Sequence, residues 1–179
     1  MPFSALASEK SAYVNEEYGF TLRHPSSLML KSFGEAYFDL LKGEKILLRA
    51  SIEDDTFKIF IQEIKAETDV FLSFARERCK TICDADGPDG STYCKKVETE
   101  REWRSVNGIR VLEFTLIFTR ENYQDKTKEE SRMGPVYMID ISRQNRPLAL
   151  MIHPMPGTLE SRDTWQLTRE LIETISLLR

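Results

Sequence analysis

Apolar and polar residues alternate most regularly over residues 97–120, where two such runs meet at Asn107-Gly108. An Asn-Gly pair in this setting is typical of a two-residue type I′ turn, which needs positive φ at both central residues. The turn predicts these cross-strand pairs: Val106 with Ile109, Trp103 with Leu112, and Arg101 with Phe114. The apolar face would then carry Val97, Thr99, Trp103, Leu112, Phe114, Leu116 and Phe118. The opposite, mainly acidic face would carry Glu98, Glu100, Glu102, Arg104 and Glu113, with Val111 and Ile117.

Shorter alternating segments predict strands on both sides of this hairpin. Residues 18–25 form one strand, which ends at Pro25. Two successive hairpins are expected over residues 36–64, with strands at 37–41, 46–52 and 57–64. The last of these follows the period of two in Phe57, Ile59 and Ile61. A further strand pair is expected at 136–143 and 148–153.

Two segments have helical periodicity instead. Residues 68–83 place Phe71, Leu72, Ala75, Cys79 and Ile82 on one face, with Thr68 or Asp69 as the N-cap. Residues 159–178 carry an apolar stripe of Trp165, Leu171, Ile172, Ile175 and Leu178, behind an acidic first turn. Residues 84–91 end the first helix as a loop, and 121–135 lack periodicity and predict a mobile loop.

These elements predict an α+β fold made of one layered domain. Short turns make neighbouring strands antiparallel, because a parallel crossover needs a dozen or more residues. Amphipathic helices need a sheet face to cover. We therefore expect an α/β sandwich with a central antiparallel sheet of six to eight strands packed by two long amphipathic helices. The expected organisation is a flexible tail at 1–12 and a single domain at 13–179.

Charge and hydropathy exclude several classes of partner. The net charge of -4 and the pI near 5.4 argue against nucleic acid, which needs clustered basic residues. No apolar run approaches the roughly 20 residues of a transmembrane helix. The N-terminus lacks a signal peptide, but a leader removed beforehand would leave the same sequence. A membrane tether could therefore come only from a removed N-terminal leader.

Three cysteines offer the first candidate chemistry. A disulfide between Cys83 and Cys94 would join the end of the first helix to the strand beyond the loop, a device of exported proteins. Such a bond would contribute at most ~3 kcal/mol in the chain-entropy model. The alternative is that all three cysteines are reduced and Cys79 is buried as a small apolar residue. A structural zinc site is disfavoured, because it needs four Cys or His ligands.

Other candidate sites carry weaker signals. The loop at 84–91 is rich in Asp, but Pro88 and Lys95 occupy positions where a calcium-binding EF-hand needs ligands. His24 and His153 each precede a proline at a strand end and favour structural roles. The sequence contains no G-x-S-x-G, H-E-x-x-H, P-loop or G-x-G-x-x-G motif. We therefore predict no catalytic residues, metal or cofactor, and a protein that is not an enzyme.

An acidic strip is the remaining candidate site. In the predicted register Glu102 faces Glu113 directly, an arrangement that destabilises a sheet. Glu98 and Glu100 extend the strip along the same strand. Either neighbouring basic residues screen these charges, or the strip binds a cation or a basic partner. If the charges are merely screened, replacing Glu102 and Glu113 by Gln should raise stability.

Three short segments resemble the PsbP-like family. The opening Tyr18-Gly19-Phe20-Thr21-Leu22-Arg23-His24-Pro25 is similar to its entry strand, and Val106-Asn107-Gly108-Ile109 is similar to the turn before its long strand. The closing run Leu171-Ile172-Glu173-Thr174-Ile175-Ser176-Leu177-Leu178 is similar to its last helix, with Leu177 where an aromatic residue is common. The family includes the extrinsic PsbP proteins of photosystem II, DcrB-type lipoproteins and a Ran-binding nuclear import factor.

The resemblance implies a non-catalytic binding or assembly factor outside the cytoplasm, periplasmic, secreted or lipoprotein-like, acting on a protein partner. Candidate surfaces are the acidic strip and the loops at 84–91 and 121–135. One alternative is a small-ligand or metal-binding domain, even an enzyme, with a pocket between the sheet and the 68–83 helix. Another is a cytoplasmic adaptor with free thiols.

Overall fold

The computed structural model describes residues 9–63, 69–82, 84–143, 146–155 and 162–178. These described residues contain eleven strands and three helices. In order they are β1 (Lys10–Asn15), β2 (Phe20–Pro25), β3 (Met29–Phe33), β4 (Tyr37–Lys42), β5 (Lys45–Glu53), α1 (Asp55–Glu63), α2 (Val70–Ile82), β6 (Asp84–Gly87), β7 (Gly90–Arg104), β8 (Arg110–Asn122), β9 (Lys128–Asp140), β10 (Ala149–Pro154), α3 (Arg162–Glu173) and β11 (Ser176–Leu177).

The strands form two antiparallel sheets. The larger has eight strands in the order β3-β4-β5-β10-β9-β8-β7-β6, and the smaller has the order β1-β2-β11. Each pairing in both sheets is antiparallel. The predicted antiparallel α+β architecture is therefore confirmed. The helices differ from the prediction, because there are three and each is short.

Apolar side chains cover both faces of the larger sheet. On one face, α1 and α2 pack an aromatic cluster against the sheet, in which the Phe57 and Phe74 ring centroids lie 4.8 Å apart. On the other face, α3 and the smaller sheet bury Phe20, Leu171 and Ile172 against Leu150. We call these the α2 face and the α3 face. A sheet covered on both sides needs apolar residues at consecutive positions, as in the fully buried run from Val111 to Thr119.

The central hairpin is confirmed at Asn107-Gly108, but its register is not the predicted one. Gly108 has a φ of 77°, whereas Asn107 does not have positive φ, so the turn is not type I′. The N–H of Ser105 donates to the carbonyl of Ile109 over 2.8 Å, which closes a three-residue loop. Loops of this length typically combine a type I turn with a left-handed glycine.

This longer loop shifts the pairing by one residue. Trp103 faces Val111, Glu102 faces Leu112 and Arg101 faces Glu113. A shift of one residue moves one strand's side chains to the other face. Trp103 therefore belongs to the α3 face and Phe114 to the α2 face, so the prediction that both enter one interior is wrong. Two β-bulges in β7 shift the register again farther along.

Residues 57–63 of the segment predicted as a strand at 57–64 belong to the helix α1, and residue 64 lies outside the described residues. Phe57 is buried and Phe60 and Ile61 pack against the same core, whereas Ile59 is 54% exposed. Residues spaced three and four apart therefore face the sheet, as in a helix. The predicted period of two arose because Phe57, Ile59 and Ile61 also fit alternation.

Several predicted loops and tails contain strands. The predicted mobile loop at 121–135 is mainly the turn between β8 and β9, and 84–91 holds the turn between β6 and β7. The sequence analysis missed β3 and β11, and β1 starts within the predicted 1–12 tail. The strands at 18–25, 37–41, 46–52 and 148–153 are confirmed with small changes in their ends. The strand predicted at 136–143 is the last part of the longer β9, which begins at Lys128 and ends at Asp140. The first helix is confirmed at Val70–Ile82, and the second ends early, at Glu173.

Candidate partner-binding surfaces on the ribbon

The strands β7, β8 and β9 are the longest in the protein and form what we call the ribbon. The two segments predicted as binding loops meet at its end. The N–H of Tyr123 donates to the carbonyl of Asp89 over 3.1 Å, and the Gln124 amide donates to the Asp89 carboxylate over 3.0 Å. A pocket of about 340 Å³ lies at this end and is lined by residues 87–92 and 120–122. The two loops therefore form one continuous tip.

Glu98 lies on the α3 face of the ribbon, opposite Thr115. Its carboxylate contacts Lys96 and Arg132, each at 2.6 Å. Hydrogen bonds from Lys96 and then Arg132 hold the pKa of Glu98 below its ordinary value. Lys95 with Glu130, and Lys128 with Glu121, add further ion pairs on the ribbon. Glu98 is therefore screened by Lys96 of its own strand and by Arg132 of β9, which lies beyond β8 in the sheet.

Glu100 occupies one of the two β-bulges of β7, between Thr99 and Arg101. A bulge leaves the extra residue out of the ladder and redirects its side chain. The Glu100 carboxylate lies 3.8 Å from Arg132, farther than that of Glu98. It shares this arginine with Glu98 and is exposed. Of the predicted strip, Glu100 is thus the more weakly paired of the two acids that contact Arg132.

Glu102 lies on the other face of the sheet. Its carboxylate accepts from the Nε of Arg110 over 2.7 Å, and Arg110 also binds the helix cap Asp69 at 2.7 Å. The prediction that Glu102 stands directly opposite Glu113 is wrong, because the register places Arg101 opposite Glu113. The four predicted glutamates therefore do not form one strip.

Glu113 is buried and belongs to a polar cluster under α3. Arg169 of α3 donates to both carboxylate oxygens of Glu113, each over 3.0 Å. Tyr137 pairs with Glu113 across the strands. Burial raises the pKa of Tyr137 to about 12, and the Glu113 charge contributes to the increase. The Glu113–Arg169 pair therefore links α3 to the centre of the sheet.

Two pockets beside α3 share Trp165 in their lining. One part, of about 330 Å³, lies between α3 and the ribbon and is lined by Glu100, Glu113, Thr115, Arg132, Gly134, Pro135 and Trp165. The other part, of about 700 Å³, lies along α3 beside β1 and is lined by Lys10, Trp165, Gln166, Arg169, Glu170, Glu173 and Thr174. Gly134 is required at the floor, because a Cβ there would lie 2.9 Å from the Cα of Thr115. We call the two parts together the α3 groove.

The sequence analysis did not identify Trp165, Arg169 or Arg132 as site residues. Trp165 was placed in the apolar stripe of the last helix, yet it is 42% exposed where the two parts of the groove meet. Its spacing of four from Arg169 places both residues on one side of α3. That spacing was readable from the sequence, but only the fold shows that this side faces the groove.

The disulfide prediction needs a correction. Cys94 is bonded to Cys79, with a Cα–Cα distance of 5.3 Å, so its partner is not Cys83. Cys83 lies outside the described residues. Cys79 faces the sheet from α2, and Cys94 lies on the α2 face opposite Phe118. The bond therefore fastens α2 to the ribbon, and residues 84–91 lie within the loop that it closes.

The two histidines lie on different sheets. His24 is a buried residue of β2, and its Nδ1 lies 3.0 Å from the carbonyl of Pro25. His153 of β10 pairs with Arg49 of β5. Burial, together with the positive charges of Arg78 and Arg49, lowers the pKa of His153 to about 4. His153 is therefore neutral at neutral pH.

Among the residues that the structure describes, no group of three or more His, Cys, Asp or Glu side chains is arranged to hold a metal ion. Among the described helices, none combines the length and apolar character needed to cross a membrane.

The comparisons with known proteins place the fold. No family model matches the chain, and no curated protein matches its sequence significantly. The solution structure of cyanobacterial PsbP (CyanoP) from Synechocystis sp. PCC 6803 is similar, with a TM-score of 0.50 and 10% sequence identity over 99% of this chain and 96% of that one. A crystal structure from Bacteroides thetaiotaomicron VPI-5482 aligns with a TM-score of 0.33 and 13% identity over 96% of this chain and 49% of that one. The chain therefore has a fold similar to that of PsbP.

Proposed function

We propose that this protein is a non-catalytic binding or assembly factor that engages a protein partner through the ribbon tip and the α3 groove. The observation that carries the proposal is the convergence at the tip. Two polar turns that are distant in the sequence are joined by the Asp89 contacts with Tyr123 and Gln124. Loops held in place by a rigid scaffold are common sites of recognition.

The charge pairs of the ribbon support a binding role. Lys128 and Arg132 are more than half exposed in their pairs with Glu121 and Glu98. Exposed ion pairs contribute little to stability, typically about 0–1 kcal/mol. Charges across an interface instead steer encounter and fix the register of a partner. The ribbon charges therefore suit recognition more than folding.

The compartment and the absence of catalysis are part of the same proposal. A disulfide that fastens α2 to the ribbon suits an oxidising environment, because cytosolic thiols are usually kept reduced. An extracytoplasmic location, periplasmic or secreted, follows from that reasoning. The PsbP-like fold supports a non-catalytic role by analogy alone.

The test is site-specific photo-crosslinking in the source organism. A photoreactive residue is placed at Gln124 on the tip and at Gln166 in the α3 groove, where the side chain is exposed. The matched control is Ile59, which is 54% exposed on α1 and belongs to the opposite side of the sheet. We expect a discrete cross-linked protein from positions 124 and 166 and not from position 59. Absence of any product from positions 124 and 166, or equal products from all three positions, would contradict the proposal.

A further inference from the structure

We propose that the α3 groove receives one Lys or Arg side chain of the partner, with its aliphatic stem on the Trp165 indole and its charge at Glu100. The inference rests on the proposed function and specifies the chemistry of the partner.

The Trp165 side chain offers an exposed aromatic surface in the groove. It is an indole 42% exposed on a helix whose Leu171 and Ile172 are buried. It lines both parts of the groove, so a side chain entering either part meets the ring. Cations bind well over the face of tryptophan, and their aliphatic stems cover apolar surface. An exposed indole beside a cavity is thus suited to a long basic side chain.

The groove carries more acidic than basic side chains. Its walls carry the carboxylates of Glu100, Glu113, Glu170 and Glu173 against the cations of Lys10, Arg132 and Arg169. Arg169 is committed to Glu113, and Arg132 lies nearer to Glu98 than to Glu100. Glu170 is hydrogen-bonded by the neutral amide of Gln166 over 2.8 Å. A cation from a partner would therefore complement the negative charge left at Glu100.

Polar contacts between α3 and the sheet hold the groove rigid. The Glu113–Arg169 pair holds α3 against the sheet at the base of the groove, while Glu173 accepts from the Trp103 indole over 3.0 Å. Sites built on helices and strands hold their geometry better than sites on loops. Because the wider part continues past Trp165 along α3, a peptide segment has room to run in the groove while one side chain enters beside Glu100.

The experiment uses the two tryptophans as reporters. Their indole N–H signals in ¹⁵N-labelled protein are followed during titration with three blocked tripeptides, Gly-Lys-Gly, Gly-Arg-Gly and Gly-Gln-Gly. We expect the Lys and Arg peptides to shift the Trp165 indole and the Glu100 amide saturably, and the Gln peptide to shift neither. The Trp103 indole reports that the fold is intact.

Matched variants complete the test. Glu100→Gln should weaken binding of the Lys peptide by about tenfold or more, because a charge-assisted hydrogen bond is lost. Glu129→Gln removes an exposed carboxylate from the same ribbon at a separate cavity and should leave binding unchanged. Trp165→Leu should abolish binding while the Trp103 signal stays in place.

Two results would overturn the inference: equal shifts with the Lys and Gln peptides, or equal affinities for the Glu100→Gln and Glu129→Gln proteins. Neither concerns whether the ribbon binds a partner. If cross-links form from positions 124 and 166 while the peptides fail to bind, the inference falls and the proposed function stands. If no position cross-links, the proposed function falls whatever the peptides do.

Discussion

The centre of the larger sheet and the ribbon differ in the kinds of side chains that they carry. In β5 and β10, residues such as Leu48, Leu150 and Ile152 have no exposed surface and pack under α3 and the smaller sheet. In the outer ribbon, pairs such as Glu98–Arg132 and Glu121–Lys128 lie at the surface. Burial of apolar area dominates folding, whereas exposed ion pairs contribute little. If the proposed function holds, stability and partner binding depend on different regions of this protein.

The largest expected effect comes from opening the core. Leu150→Ala should lower the free energy of unfolding by about 2–5 kcal/mol, because it removes a fully buried side chain and leaves a cavity. Val106→Ala is the matched control, since Val106 is 81% exposed, and it should change stability by less than about 0.5 kcal/mol. Urea titration measures both. Equal losses would contradict the assignment of the core.

The disulfide ranks next. Cys79→Ser should destabilise the protein by about 3 kcal/mol, because the bond closes a loop whose ends are separated by 15 residues. Cys83→Ser should leave the cross-link in place, and peptide mapping of unreduced protein identifies the bonded pair. A mapped Cys83–Cys94 bond would restore the original sequence prediction and refute the pairing in the structure.

Acid should destabilise the protein partly through His153. Its pKa is lowered to about 4 in the folded chain, against 6.5 for an ordinary histidine. The unfolded chain therefore binds a proton that the folded chain excludes, and stability falls as the pH drops from about 6.5 towards 4. The expected contribution is about 3 kcal/mol. It is measured as the difference between the pH profiles of the wild type and His153→Gln, and superimposable profiles would contradict it.

The smallest effect separates the two glutamates that the sequence placed opposite each other. Glu113→Gln should lower stability by about 1–2 kcal/mol, because a buried carboxylate loses its charge-assisted bonds to Arg169. Glu102→Gln should cost less than about 0.5 kcal/mol, since its pair with Arg110 is partly exposed. The sequence analysis expected that replacing both glutamates by Gln would raise stability, whereas the structure predicts that stability falls. Thermal melts of the two variants decide, and a gain for Glu113→Gln would contradict the buried pair.

The antiparallel sheet and the helix α2 could be predicted from the sequence, because alternation and helical periodicity are local signals. The sequence correctly predicted that the chain reverses at Asn107-Gly108, but it predicted a two-residue loop where the structure has a three-residue loop. That difference of one residue moved Trp103 to the other face of the sheet. Residues 57–63 fit both periods, so their helix is decided by packing of Phe57 against Phe74. The α3 groove depends on where α3 lies over the ribbon, which no local pattern encodes. Glu98 and Glu100 were named from the sequence as candidate binding residues, whereas Trp165 and Arg132 were not.

Cross-linking from position 124 tests the separation of stability and binding most directly. The comparison is between the wild type and a variant with Glu98→Gln and Glu100→Gln. We predict that the yield of the cross-linked partner falls about tenfold, since a loss of ~1.4 kcal/mol of binding free energy has that effect. The melting temperature should remain within about 2 °C of the wild type. An unchanged yield, or a yield that falls only together with the melting temperature, would contradict the account.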